Sequence, residues 1–131
     1  MTKHFTWSEF DKSVEFIANQ CKKLKLSGIY GVPRGGLCLA VALSHKLNVQ
    51  LIEKPLKRSL IVDDVFETGL TLSNFKNIED VNFFVLVSKK EPIWWNAVNL
   101  SNKKEWIVFP WENKNNHLKE EQEYNERRGI K

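Results

Sequence analysis

The residues best equipped for chemistry lie in one stretch, Leu60-Ile61-Val62-Asp63-Asp64-Val65-Phe66-Glu67-Thr68-Gly69-Leu70-Thr71-Leu72. Its first three residues are apolar and predict a short buried strand. Two adjacent carboxylates follow, then a loop in which Thr68, Gly69 and Thr71 precede a short helical segment. In an open α/β sheet, ligands sit outside the carboxyl ends of the strands, and backbone N–H groups at a helix start attract phosphate. Carboxylates for hydroxyls or a metal thus stand a few residues from a phosphate cradle. A ribose 5-phosphate needs both.

A second anion-ready turn lies upstream. Residues 28–32 predict a first strand, Pro33-Arg34-Gly35-Gly36 a turn, and residues 37–47 a buried helix. The order strand, glycine turn, helix starts a βαβ unit. Arg34 offers a permanently charged fork for phosphate oxygens, and Gly35 and Gly36 let backbone amides approach closely. Alone, Arg-Gly-Gly reads as a plain tight turn; its place ahead of the acidic stretch gives it weight.

The remaining elements must hold these loops in register. Thr6-Trp7-Ser8-Glu9 is a capping box, with Thr6 as N-cap and Glu9 at N3. Apolar residues at Trp7, Phe10, Val14, Ile17, Cys21 and Leu24 predict an amphipathic helix of about 17 residues, closed by Ser27 and Gly28. Residues 49–52 predict a second strand and 59–63 a central one. A short helix is expected to begin at Thr71, and residues 81–88 predict a fourth strand. Residues 96–100 suit a fifth, and 106–112 close the folded part. Lys89 and Lys90 follow the fourth strand, on the ligand side of the sheet. Of the five tryptophans, four lie between positions 94 and 111, and packing is the expectation for most of them. From Asn113 the chain is polar without an apolar stripe, which predicts a solvated helix or frayed tail over 113–131.

With 131 residues and 42% hydrophobic content, the chain suits one domain with one core. Its net charge of +4 comes from dispersed basic residues. A nucleic-acid surface would want them clustered, so no nucleic-acid partner is expected. No apolar run is long enough to span a bilayer, and a reducing cytoplasm is the expected location. Cys21 and Cys38 fall in apolar helical stretches, as buried thiols do. His4, His45 and His117 are scattered like surface residues. The GxxxxGK[ST] phosphate loop is absent.

The stretch from Asp63 to Thr71 resembles the phosphoribosyl pyrophosphate (PRPP) motif of type I phosphoribosyltransferases. The shared pattern is a hydrophobic strand, two acids, two apolar residues, an acid, then Thr-Gly-x-Thr. Within that family the chain is most similar to the bacterial xanthine-guanine branch, over residues 6–112. The Thr-Trp opening of the first helix, Arg-Gly-Gly-Leu after the first strand, and the run Trp106, Ile107, Pro110, Trp111, Glu112 carry that similarity.

The resemblance implies an α/β fold, a single domain with a mostly parallel central sheet flanked by helices. Residues 1–112 would form the phosphoribosyltransferase domain. It implies a purine phosphoribosyltransferase that transfers ribose 5-phosphate from PRPP to guanine, xanthine or hypoxanthine, with Mg²⁺ as cofactor. Asp63 and Asp64 would hold the ribose hydroxyls and the metal, directly or through bound water. Thr68, Gly69, Leu70 and Thr71 would cradle the 5-phosphate, and Arg34, Gly35 and Gly36 the pyrophosphate. Glu67 would manage the proton of the purine imidazole nitrogen. Lys89, with Lys90 as its rival, would meet the 6-oxo group; Trp106 would stack on the base and Ile107 read its 2-substituent. A homo-oligomer and an unusual Pro33–Arg34 peptide are further implications.

Two departures stand out. Glu67 occupies a position where the family usually has aspartate. The long mobile loop that the family carries between its second and third strands is shortened here to residues 53–58. The basic side chains Lys54, Lys57 and Arg58, the tail or a neighbouring subunit are the candidates to cover the site in its place. An alternative follows: a module of the same fold that binds PRPP or a nucleotide with little turnover. A phosphoribosyltransferase for another base is a third reading.

Overall fold

The computed structural model describes residues 1–112 and Gln122. The expectation for the tail over 113–131 therefore lies outside the described residues, apart from that one exposed glutamine.

The chain runs β1 (Thr2–His4), α1 (Trp7–Cys21), β2 (Ile29–Gly31), α2 (Leu37–Leu47), β3 (Leu60–Phe66), α3 (Leu70–Ser73), β4 (Asn82–Ser88), β5 (Asn96–Leu100) and β6 (Trp106–Val108). The main sheet has the order β2-β3-β4-β5, and every pairing in it is parallel. A second sheet pairs β1 with β6, also in parallel. The α/β fold with a parallel sheet is as expected.

Side-chain alternation assigns the two faces of the main sheet. Leu60 and Val62 of β3, with Phe84 and Leu86 of β4, pack under α1 and α2 against Ile17, Leu39 and Leu43. Ile61, Phe83 and Val85 point the other way, toward Phe66, Leu72 and Trp95. Among the described residues, the four-residue α3 is the one helix packed on this second face, and aromatic side chains fill much of it. Phe66 and Trp95 stack at 3.7 Å with planes 10° apart, and Trp94 meets Trp95 edge-on at 5.0 Å. The Trp95 indole N–H donates to Ser88 Oγ at 3.0 Å, which satisfies its one polar atom in a buried site. Trp95→Ala is expected to cost about 3–5 kcal/mol, measured as a lowered denaturation midpoint with an unchanged slope.

Several boundaries differ from the sequence reading. The capping box forms as expected: Glu9 N–H donates to Thr6 Oγ1 at 3.0 Å and Thr6 N–H to Glu9 Oε1 at 3.2 Å. Helix α1 ends at Cys21, however, well before Gly28, and Leu24 lies beyond it, 42% exposed. The expected burial of α2 holds for Leu39, Ala40 and Leu43 but not for Leu37 and Val41, each 43% exposed. Strand β1 had no periodic signal, since all three of its residues are exposed; β6 recruits it.

Residues 49–52 do not form a strand. Leu51 makes one isolated bridge to Ile29, flanked by the bonds Ile29 N–H to Gln50 O and Ile52 N–H to Ile29 O, each 2.9 Å. The chain then turns at once. Ser59 N–H and Oγ both donate to Leu56 O, at 3.2 and 2.6 Å. Arg58 adopts φ 58° and its N–H donates to Glu79 O, while Ser27 N–H donates to Arg58 O. All these partners lie where β2, β3 and β4 begin. Residues 53–58 are therefore tied to the end of the sheet opposite the carboxylates, and Lys54, Lys57 and Arg58 are no cover for the site.

Candidate functional site

A cleft of about 340 Å³ opens at the carboxyl ends of β2, β3 and β4, under the small β1–β6 sheet. Asp63, Asp64 and Glu67 line it from β3 and the loop after it, and Thr71 from α3. Pro33 and Gly35 come from the turn after β2, Lys89 from the end of β4, and Trp106 and Ile107 from β6. Five separate parts of the chain meet at one place. Arg34, Gly36, Thr68, Gly69 and Leu70 border this group without lining the cleft; Arg34, Thr68 and Leu70 are exposed, and Gly36 and Gly69 buried.

The sequence placed the carboxylates at the C-terminal end of the central strand, with Asp63 its last residue; in the structure β3 continues to Phe66, so both lie within it. Cross-strand pairing with β4 carries the backbone past both acids, through Asp63 with Val85 and Val65 with Val87. Alternation breaks there, since Val62 and Val65 pack against the same helix-side cluster while Phe66 joins the opposite one. Asp64 N–H donates to Asp63 Oδ1 at 2.8 Å and Val65 N–H to Asp64 Oδ1 at 2.7 Å.

Burial, and after it the charge of Asp64, push the Asp63 carboxyl up to about 9; burial also raises Asp64. An unfolded chain releases such protons near pH 3.9. The metal-free fold therefore holds a proton that the unfolded chain has lost. Stability linked to Asp63 is greatest below about pH 4 and declines as pH rises toward 9. A melting temperature that falls from pH 5 to pH 9, and a flatter profile for Asp63→Asn, are the expected result in calorimetry.

The turn after β2 is seated directly on this pair. The Pro33–Arg34 peptide is cis, as the resemblance implied. A methyl group on Gly35 would overlap the Asp64 carboxylate. One on Gly36 would overlap the Val62 carbonyl and stand 2.9 Å from Val32 N and 3.0 Å from Asp63 Cα. Gly36 differs from expectation in one respect: its N–H donates to Val32 O at 2.8 Å, so this amide serves the turn. After β3, Gly69 takes φ 82°, and a methyl there would stand 2.5 Å from Phe66 Cζ. Leu70 N–H reaches Thr68 Oγ1 at 3.4 Å.

Lys89 is buried, and its ammonium donates to Glu105 O at 2.7 Å; the rival Lys90 is exposed. Trp106 is half-buried and Ile107 buried. Glu112 also lines the cleft, and its carboxylate accepts from Phe109 N–H at 2.7 Å. The sequence reading used Glu112 only as part of a motif; nothing local marks it as a cleft residue. Among the described residues, no three His, Cys, Asp or Glu side chains gather to hold a metal unaided.

No family model and no curated protein matches the chain in sequence. Solved structures do match. A purine phosphoribosyltransferase from Pyrococcus horikoshii Ot3 is 29% identical with a TM-score of 0.74, over 86% of this chain and 95% of that one. A xanthine-guanine-hypoxanthine phosphoribosyltransferase from Helicobacter pylori is 19% identical with a TM-score of 0.72, over 92% and 98%. A hypothetical protein from Neisseria gonorrhoeae with bound ppGpp is 16% identical with a TM-score of 0.65, over 97% and 98%.

Proposed function

We propose, from the premise that this chain belongs to the type I phosphoribosyltransferases, that it transfers ribose 5-phosphate from PRPP to a 6-oxopurine and releases pyrophosphate. The observation that carries this reading is the convergence of Asp63, Asp64, Glu67, Thr71, Gly35, Lys89 and Trp106 on one cleft.

Each group has a task its chemistry suits. Asp63 and Asp64 hold the ribose hydroxyls. The loop from Thr68 to Thr71 offers hydroxyls and backbone to the 5-phosphate, with Thr71 on the cleft wall. Arg34 and the Gly35 backbone receive the pyrophosphate. Glu67 holds the proton of the purine imidazole nitrogen as the bond to the anomeric carbon forms. The Lys89 ammonium faces the 6-oxo group, Trp106 stacks on the ring, and the Ile107 backbone meets the 2-substituent.

Two hard, oxygen-donor carboxylates, Asp63 and Asp64, would fit Mg²⁺, which binds through one or two carboxylates together with substrate phosphates. When bound, Mg²⁺ neutralises charge on the departing pyrophosphate.

Incubation with Mg²⁺, PRPP and each of guanine, xanthine, hypoxanthine, adenine and uracil, following pyrophosphate, tests the proposal. Release with a 6-oxopurine is expected; preference for adenine or uracil overturns it. Lys89→Met should shrink the preference for 6-oxopurine over adenine by roughly a hundredfold, because a site built to hydrogen-bond one group rejects its replacement strongly.

A second reading is favoured by the position of residues 53–58 at the far end of the sheet. Without cover from that segment, the same cleft can bind PRPP or a nucleotide and turn it over little. The Neisseria structure with bound ppGpp supports nucleotide binding on this fold. Tight calorimetric binding without pyrophosphate release would favour this module over the enzyme.

A further inference from the structure

The loop between β5 and β6 does more than connect them. Lys89 is 8% exposed, and its ammonium is held at 2.7 Å by the backbone oxygen of Glu105, sixteen residues away. A carbonyl can orient a lysine only if the carbonyl itself is held. Here the Glu105 carboxylate accepts a 2.7 Å hydrogen bond from Ser101 Oγ across the base of the loop. Glu105 N–H donates to Asn102 O at 3.1 Å, and Lys104 N–H to Asn102 Oδ1 at 2.9 Å, which closes the turn. Ser101 N–H in turn donates to Ser88 O at 2.9 Å, and Lys89 N–H to Phe66 O at 2.8 Å. The lysine backbone and its ammonium are thus pinned to one frame. Trp106 follows Glu105 directly, and its N–H donates to Met1 O.

We infer that Ser101 and Glu105 are positioning residues that brace Lys89, and through it set the preference for a 6-oxo over a 6-amino substituent. The inference rests on the purine reading above. Lysine is a flexible point charge with rotatable donors. Fixing it converts a general attraction for acceptors into a directional contact, and directional contacts carry discrimination. Neither Ser101 nor Glu105 lines the cleft, so both act through Lys89.

Ser101→Ala, Ser101→Thr and Glu105→Gln test the brace. With Ser101→Ala, KM for the 6-oxopurine should rise about fivefold to tenfold, the scale of one lost hydrogen bond, while kcat and the KM for PRPP stay within about twofold. The ratio of kcat/KM for the 6-oxopurine to that for adenine should shrink by the same factor as the purine KM rises. Ser101→Thr keeps the hydroxyl and should restore both the purine KM and the selectivity, and Glu105→Gln, which keeps an acceptor oxygen, should fall between. A fall in kcat and melting temperature together with a rise in KM for both substrates in Ser101→Ala, without rescue by threonine, would reduce the brace to ordinary loop stability and overturn the inference. Unchanged kinetics would overturn it equally.

A second readout needs no purine. The ¹⁵N-labelled ammonium of Lys89 should give a slowly exchanging signal in the wild type that broadens or disappears in Ser101→Ala. If the wild type binds no purine, the proposed function fails and takes the selectivity role with it. If purines bind but the lysine signal is insensitive to Ser101, the brace alone fails.

Discussion

Asp63→Asn combined with Asp64→Asn is expected to weaken Mg-PRPP binding at least about a hundredfold, since truncating a charged partner costs about 2–5 kcal/mol and about 1.4 kcal/mol is a factor of ten. The same variant should melt at the same temperature or higher. Asparagine keeps the Oδ1 acceptors that receive Asp64 N–H and Val65 N–H, so the local backbone geometry survives. What disappears is the burial of two adjacent carboxyls whose ionisation the fold resists. Titration calorimetry with Mg-PRPP and thermal unfolding at pH 8 decide the matter. Intact binding with a large loss of stability would show the pair to be a structural element and not a ligand site.

The two glycines after β2 should separate fold from function. The atoms nearest a methyl on Gly36 are main-chain atoms of Val62, Val32 and Asp63, none of which can rotate away. Gly36→Ala should therefore push α2 off β3 and cost about 3 kcal/mol, the upper end of overpacking. A methyl on Gly35 meets the side chain of Asp64, which can turn aside. Gly35→Ala should keep its melting temperature within a few degrees but lose PRPP affinity by up to about a hundredfold, since a misplacement of 1 Å costs that much. Parallel denaturation and binding curves for both variants check this; a Gly35→Ala protein that binds normally would free Asp64 from any role in the cleft.

Local chemistry was legible where it was self-contained. The Thr6–Glu9 capping box, the turn at residues 33–36, helix α2 and the acidic stretch each carry their determinants within a few residues. So do β4 and β5, whose expected spans lie within one residue of those observed. What the sequence concealed depends on partners. Thr2–His4 is a strand only because β6 lies beside it. Val49 and Leu51 alternate as a strand should, yet the turn at Leu56–Ser59 takes the chain away after one bridge. Asp63 and Asp64 looked like a strand end because aspartate is depleted in strands; pairing with β4 overrides that preference. For the site, the residue types were apparent, but the grip of Glu105 on Lys89 spans sixteen positions and has no local signature.

The anchoring of residues 53–58 beneath the sheet has a kinetic consequence. Enzymes that close a loop over their ligand are often limited by its reopening, and the ordering of that loop is subtracted from the affinity. Leu56, Lys57 and Arg58 are hydrogen-bonded at the floor of the sheet, so this segment could close over the cleft only by breaking those bonds. Residence time in the cleft then measures contact strength on this side and not the opening of a gate, and affinity changes made by mutation within the cleft pass directly into the dissociation rate.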